Sequence, residues 1–212
     1  MTKIGIIGAT GHVGQAIMKE ALDRGAQVTA IVRSADKAKA LFGEQAAILT
    51  KDAMALTRAD LAGFDVIVDA FASVKPYEHV DLATRLISLF REDQTTQLFF
   101  VIGASTLIKP DGSTLLADTM KRFAGEPWLA GMIEQNREFK FLQLVDDVNW
   151  TAITPSTDFT DGPKTAYRVG GSRIINSAAG KNEVSVANFA AALLDESEQP
   201  KHVRTQFSVV DA

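Results

Sequence analysis

The chain of 212 residues contains no cysteine. Disulfides, thiolate nucleophiles and cysteine-ligated metals are therefore excluded. Its three histidines, His12, His79 and His202, lie too far apart in sequence to suggest a shared metal ion. Tyrosine is scarcer still, with Tyr77 and Tyr167 the only two. Neither sign of charge accumulates in blocks. A formal net charge of −4 without any basic cluster argues against a general nucleic-acid binder. No apolar run approaches the ~18–20 residues of a membrane span. Met1-Thr2-Lys3 leads straight into a strand pattern, so we expect no signal peptide and a cytoplasmic protein.

What is present is an apolar content of 46%, enough for one substantial core and one domain. Lys3–Gly8 (KIGIIG) is apolar without alternation after Lys3, as a parallel strand buried on both faces should be. Val13–Arg24 follows with Val13, Ile17, Ala21 and Leu22 at helical spacing, and Gly25 stops it. Strands are expected at Gln27–Val32, Ala47–Thr50, Val66–Ala70, Leu98–Ile102 and Trp150–Thr154. Helices are expected at Asp36–Phe42, Val80–Phe90 and around Trp128–Val145. This alternation predicts an α/β doubly wound parallel sheet, with ligands bound along the carboxyl ends of the strands.

From Ser156 the character changes. Thr157–Gly171 is rich in Thr, Asp, Gly and Pro and reads as loop. Ser185–Glu196 reads as a helix capped by Ser185, and Arg204–Val210 as a last strand. Residues 1–155 would then form the nucleotide-binding core. Residues 156–212 would form a small C-terminal, substrate-side lobe, too short to bury a core of its own.

Gly8, Gly11 and Gly14 fall between the first strand and the first helix. That context suits a dinucleotide site as well as a plain tight turn. In a site, Gly8 permits the turn, Gly11 admits the pyrophosphate and Gly14 lets the helix pack on the strand. The amide N–H groups and positive end of the helix would face the anion.

The spacing is G-x-x-G-x-x-G. The form Thr10-Gly11-His12-Val13-Gly14 resembles the short-chain dehydrogenase/reductase superfamily, and "GATGHVG" is similar to its atypical branch of NmrA-like regulators and biliverdin reductase B-like flavin reductases. The tail "DGPKTAYRVGGSRII" with "VSVANFAAALLDESEQPKHVRTQFSV" resembles the bacterial group of proposed NADH-flavin reductases. The resemblance covers nearly the whole chain and implies a Rossmann-type fold. It implies cofactor contacts from Gly8, Thr10, Gly11, His12, Val13 and Gly14, and from Arg33 and Ser34 in "VTAIVRS". It adds Asp52, then Ala70, Phe71 and Ala72 in "VIVDAFA", Gly103 and Ala104 in "VIGAST", and Pro155. Asp52 either fixes the adenine-side loop or caps a turn.

An NAD site usually carries an acid at the end of the second strand. Here that strand ends Val32-Arg33-Ser34, and a guanidinium suits a 2′-phosphate, so NADP(H) is expected over NAD(H). Arg33 is otherwise a solvated strand-end cation. The superfamily's usual acid is a Tyr with a Lys four residues on. Here Asp81 follows Tyr77 at that spacing and Gly171 follows Tyr167, so the pair is absent. Glu126-Pro127-Trp128 stands where related sequences often place a tyrosine. Ser105 falls near the superfamily's catalytic serine, although a loop or cap role fits it as well. Hydride transfer to a flavin, as substrate rather than bound prosthetic group, survives that loss, because solvent can supply the proton. Trp128, Phe159 and Tyr167 are candidate walls for such an acceptor, or else core, and Arg168 is a candidate partner for a flavin phosphate, or a surface ion pair. Two readings follow: a reductase of a small flavin or quinone-like acceptor, monomer or homodimer, and a non-catalytic NADP(H) sensor.

Overall fold

Strands that are apolar on both faces need cover on both sides, and crossover helices between parallel strands supply it. The computed structural model describes all 212 residues and shows this arrangement. In chain order the elements are β1 (Lys3–Ile7), α1 (His12–Asp23), β2 (Gln27–Val32), α2 (Ala35–Phe42) and β3 (Ala47–Thr50). Then come β4 (Val66–Asp69), α3 (Glu78–Leu89), β5 (Gln97–Val101), α4 (Leu115–Arg122), α5 (Leu129–Leu142) and β6 (Trp150–Pro155). The tail adds β7 (Asp158–Thr160), β8 (Tyr167–Gly170), β9 (Glu183–Ser185), α6 (Val186–Glu198) and β10 (Thr205–Asp211). One eight-stranded sheet has the order β3-β2-β1-β4-β5-β6-β10-β8. Only β8 runs antiparallel to its neighbour. The chain order reverses beside β1, where β2 lies on one side and β4 on the other. That switch opens a crevice at the strands' carboxyl ends.

Alternate residues of each strand feed two cores. Ile4, Ile6, Val66, Val68 and Phe207 meet Ile17 and Met18 of α1 and Phe189 and Leu193 of α6 on one face. Ile7, Ile67, Leu98 and Phe100 meet Leu82 and Leu86 of α3 and Phe139 and Leu142 of α5 on the other.

The tail departs from expectation in two places. The segment 157–171 is not all loop: β7 pairs with β9 and β8 with β10, partners far along the chain. Local composition carries no trace of such pairing. The C-terminal lobe is also smaller than its sequence suggests, because β10 and β8 extend the main sheet and α6 packs beside α1. A partly exposed polar clamp links α1 to α6. Arg24, at the end of α1, donates to Glu20, to Asp195 at 2.7 Å and to Glu198 at 3.0 Å. The helix expected at Trp128–Val145 is α5, one residue later at its start and three earlier at its end, and α4 precedes it without a buried residue of its own.

Phe189 is fully buried between α6 and α1, with its ring 5.2 Å from that of Phe159. Phe189→Ala should therefore destabilise the protein by ~3–5 kcal/mol. Urea unfolding followed by circular dichroism checks this. A loss below about 1 kcal/mol would mean that the tail helix is not part of the cooperative core.

Candidate functional site

The turn after β1 is shaped by close backbone contacts. Gly8 has φ +76°, and a Cβ there would sit 2.5 Å from the Ala70 carbonyl oxygen, so only glycine fits. A Cβ at Gly14 would stand 2.3 Å from the Gly8 oxygen, which is how tightly α1 presses on the strand end. Gly11 is different. It is exposed and extended (φ −78°, ψ 170°), and a Cβ would meet only the Gly8 oxygen at 3.2 Å. Its bareness leaves space for something outside the backbone.

The start of α1 is built for an anion. The Gly11 N–H closes the turn onto the Gly8 oxygen at 2.9 Å, and the first helical bond runs from Gln15 N–H to the Gly11 oxygen. The N–H groups of His12, Val13 and Gly14 precede any helical acceptor. No side chain caps this end and its first turn holds no acid, whereas α2, α4 and α6 are capped by Ser34, Thr114 and Ser185. Uncapped N–H groups and the positive end of the helix favour phosphate.

Beside this end lies a cavity of about 220 Å³. Gly8, Thr10 and Gly11 form its floor, and Ala70, Phe71 and Ala72, after β4, form one wall. Its far end is basic, with Arg33 after β2, Lys37 in α2 and Lys51 after β3. Lys51 is tied to Asp60 at 2.6 Å, but Arg33 and Lys37 make no ion pair. Sequence reading missed Lys37 and Lys51. Arg33 lies just before the α2 cap and Lys37 in its first turn, so the two meet only through the fold.

Several expected residues have other posts. Ser34 caps α2 by accepting from the Lys37 N–H, and Asp52 caps the 3-10 turn Ala53–Ala55 by accepting from Met54 N–H at 2.8 Å. Ala53 lines the cavity in the place of Asp52. His12 and Val13 flank the loop without lining this cavity, and the His12 ring meets the edge of Phe159 and pairs with Asp161 at 3.3 Å. Phe159 is thus held at the loop's rim. Gly103 and Ala104 continue from β5 toward α5, where Gln135 Oε1 lies 2.5 Å from the position of a Cβ on Gly103. Pro155 ends β6, in register with Val209.

Ser105 is buried and accepts from Asn136 Nδ2 at 2.8 Å. Trp128 is half exposed against Phe123, with ring centres 5.4 Å apart. Tyr167 does not join the glycine loop: its hydroxyl donates to Asp195 in the Arg24 clamp. Burial and that carboxylate hold the hydroxyl's pKa above its ordinary range, the reverse of what an acid catalyst needs. Arg168 donates to the Asn176 carbonyl at 3.0 Å, on the edge strand.

One pair of groups was not anticipated at all. Asp69, at the end of β4, and Glu138, in α5, are both buried. Burial pushes Asp69 up to about 7. Burial, with the charge of Asp69 added, pushes Glu138 well above the usual carboxylate range.

Residues 8–200 match the model of a family described as NAD(P)H-binding. The uncharacterised Bacillus subtilis protein YwnB is 38% identical over 98% of both chains. A Lactobacillus casei protein of known crystal structure is 37% identical over the whole of both chains, with a TM-score of 0.94. A Streptococcus pneumoniae protein described as "a putative NADH-flavin reductase" is 32% identical over the whole of both chains, with a TM-score of 0.88.

The two glycines should separate experimentally. Gly11→Val should keep the fold and weaken NAD(P)H binding at least ~10-fold, since the side chain would fill the space beside the start of α1. Gly14→Ala should instead destabilise the fold by about 1–3 kcal/mol, because a backbone oxygen occupies the space its methyl needs. Titration calorimetry and denaturant melts read the two effects. Unchanged affinity in a folded Gly11→Val protein would reduce the loop to a turn.

Proposed function

The chain belongs to the NAD(P)H-binding family, and from that premise we propose that it is an oxidoreductase taking hydride from NADPH to a flavin or quinone-like acceptor. The observation that carries the choice of NADPH is the pair of unpaired cations, Arg33 and Lys37, at the far end of the cavity. An acid at the strand end would accept from the ribose hydroxyls of NADH, and Arg33 stands there instead. The loop N–H groups would hold the pyrophosphate, and Arg33 and Lys37 would hold the 2′-phosphate. Bound NADPH supplies a hydride. The remaining task of this chain is to hold the acceptor ring at reacting distance and exclude competing geometries.

Nothing beside the loop resembles the usual acid. Tyr167 is engaged elsewhere and Ser105 is sealed in, with Asn136 on its oxygen. An acceptor that takes hydride directly, with its proton from solvent, suits such a site. Phe159, held between His12 and Phe189, supplies an apolar edge for it. The name given to the Streptococcus pneumoniae relative supports the same acceptor class.

Arg33→Glu should weaken NADPH by about 10- to 100-fold, the size of a lost charge-assisted bond, and NADH far less. Equal losses for both nucleotides would make Arg33 a bystander. The purified protein should oxidise NADPH when FMN, riboflavin or a quinone is added, followed by stopped-flow absorbance at the nicotinamide band. Ser105→Ala should slow that reaction much less than the ~10²–10⁴-fold expected of a general acid. Tight NADPH binding without acceptor reduction above the uncatalysed rate would defeat the reductase and favour an NADP(H) sensor.

A further inference from the structure

Asp69 directly precedes the Ala70–Ala72 wall in the chain, and neither its carboxyl nor that of Glu138 lines the cavity. Asp69 is 7% exposed and Glu138 is 3% exposed. Asp69 Oδ1 accepts the N–H of Phe71 at 3.0 Å, which ties the carboxyl to the Ala70–Ala72 wall. Glu138 Oε2 is fully enclosed and has no hydrogen-bond partner. The two are near enough for the charge of one to act on the other.

No cation answers them. On β4 the only charge is Asp69 itself, and on α5 its charge acts on Glu138. From α3, His79 sets its ring against Phe71 at 6.0 Å, and burial holds that ring toward its neutral form. Glu134 of α5 acts on His79, and Arg137 is bonded to Glu134, not to the pair. Two ionised carboxylates in such a place would each lack both solvent and a counter-ion.

We propose that Asp69 and Glu138 keep one proton between them at neutral pH, and that this proton sets the nucleotide affinity of the cavity by holding the Ala70–Ala72 wall that Asp69 braces. The two act as positioning residues. The proposal rests on the nucleotide reading of the cavity. Loss of the last proton leaves two like charges beneath the wall and adds a negative charge beside an anionic ligand. Both effects oppose binding. The sign follows from linkage. A carboxyl raised by burial supports the compact, protonated form at low pH, and that support is lost as pH rises through its titration. Reciprocally, bound nucleotide raises the pair's hold on its proton.

The experiment is calorimetric titration of NADPH into the whole protein between about pH 6 and about pH 9. A fall in affinity of about tenfold is expected, the result when bound nucleotide raises the pair's proton affinity tenfold. Glu138→Gln and Asp69→Asn each remove one titrating group, and the Asn oxygen can still accept from Phe71. Both variants should make the fall shallower, because the carboxyl that remains no longer faces a like charge. A flat wild-type profile overturns the proposal, as does a fall that persists unchanged in both carboxyl variants. Should either variant fail to fold, infrared spectroscopy of the wild type decides. A neutral-acid carbonyl band present near pH 7 and lost in step with affinity supports the pair, and its absence at pH 7 overturns it. Failure to bind NADPH or NADH at any pH would instead defeat the nucleotide reading itself, an outcome distinct from binding that ignores pH.

Discussion

The first helix can rest on the end of β1 only because no side chain intervenes where Gly14 meets the Gly8 carbonyl and Gly8 meets that of Ala70. This contact sets the distance between α1 and the sheet. It thereby aims the helix N-terminus into the crevice where the strand order reverses. It also brings the turn after β4 alongside the turn after β1, so that one cavity is floored by the glycine loop and walled by Ala70–Ala72. Apolar burial on both faces of the sheet stabilises the arrangement, but the contact decides its shape.

The helix ends show how the same physics serves two purposes. Ser34, Thr114 and Ser185 satisfy their own helices' N–H groups, as an isolated helix end requires. The start of α1 has no such partner and no first-turn acid, so its donors remain for a ligand's phosphates. Polarity continues along the cavity. Unpaired Arg33 and Lys37 stand at one end, and the Ala70–Ala72 wall is tied to the buried Asp69 carboxyl through the Phe71 N–H.

The tail is fastened by polar links at a distance. Arg24 joins α1 to α6, Asp211 of β10 accepts from the Ser185 N–H and from Asn188, and Lys164 reaches Glu20 at about 3 Å. Tyr167 belongs to this fastening, which is why a residue with the profile of an acceptor wall serves a structural end. Phe159 is held by the same tail against His12, so the lobe's placement decides which aromatic reaches the loop.

What the amino-acid sequence by itself determined were the features set by neighbours a few residues away. Apolar-rich runs marked β1, β4, β5 and β6, the spacing of Gly8, Gly11 and Gly14 marked the turn, and Arg33 marked the strand end. Each depends on local backbone geometry or on burial that recurs along the chain. Only the tertiary structure decided what depends on pairing between distant segments. It placed β8 against β10 and β7 against β9, and joined Lys37 and Lys51 to Arg33. It also buried Asp69 with Glu138, 69 residues later in the chain, in a space without a cation. Neither carboxyl is unusual in sequence, because desolvation and like charge arise from what folding packs around a group.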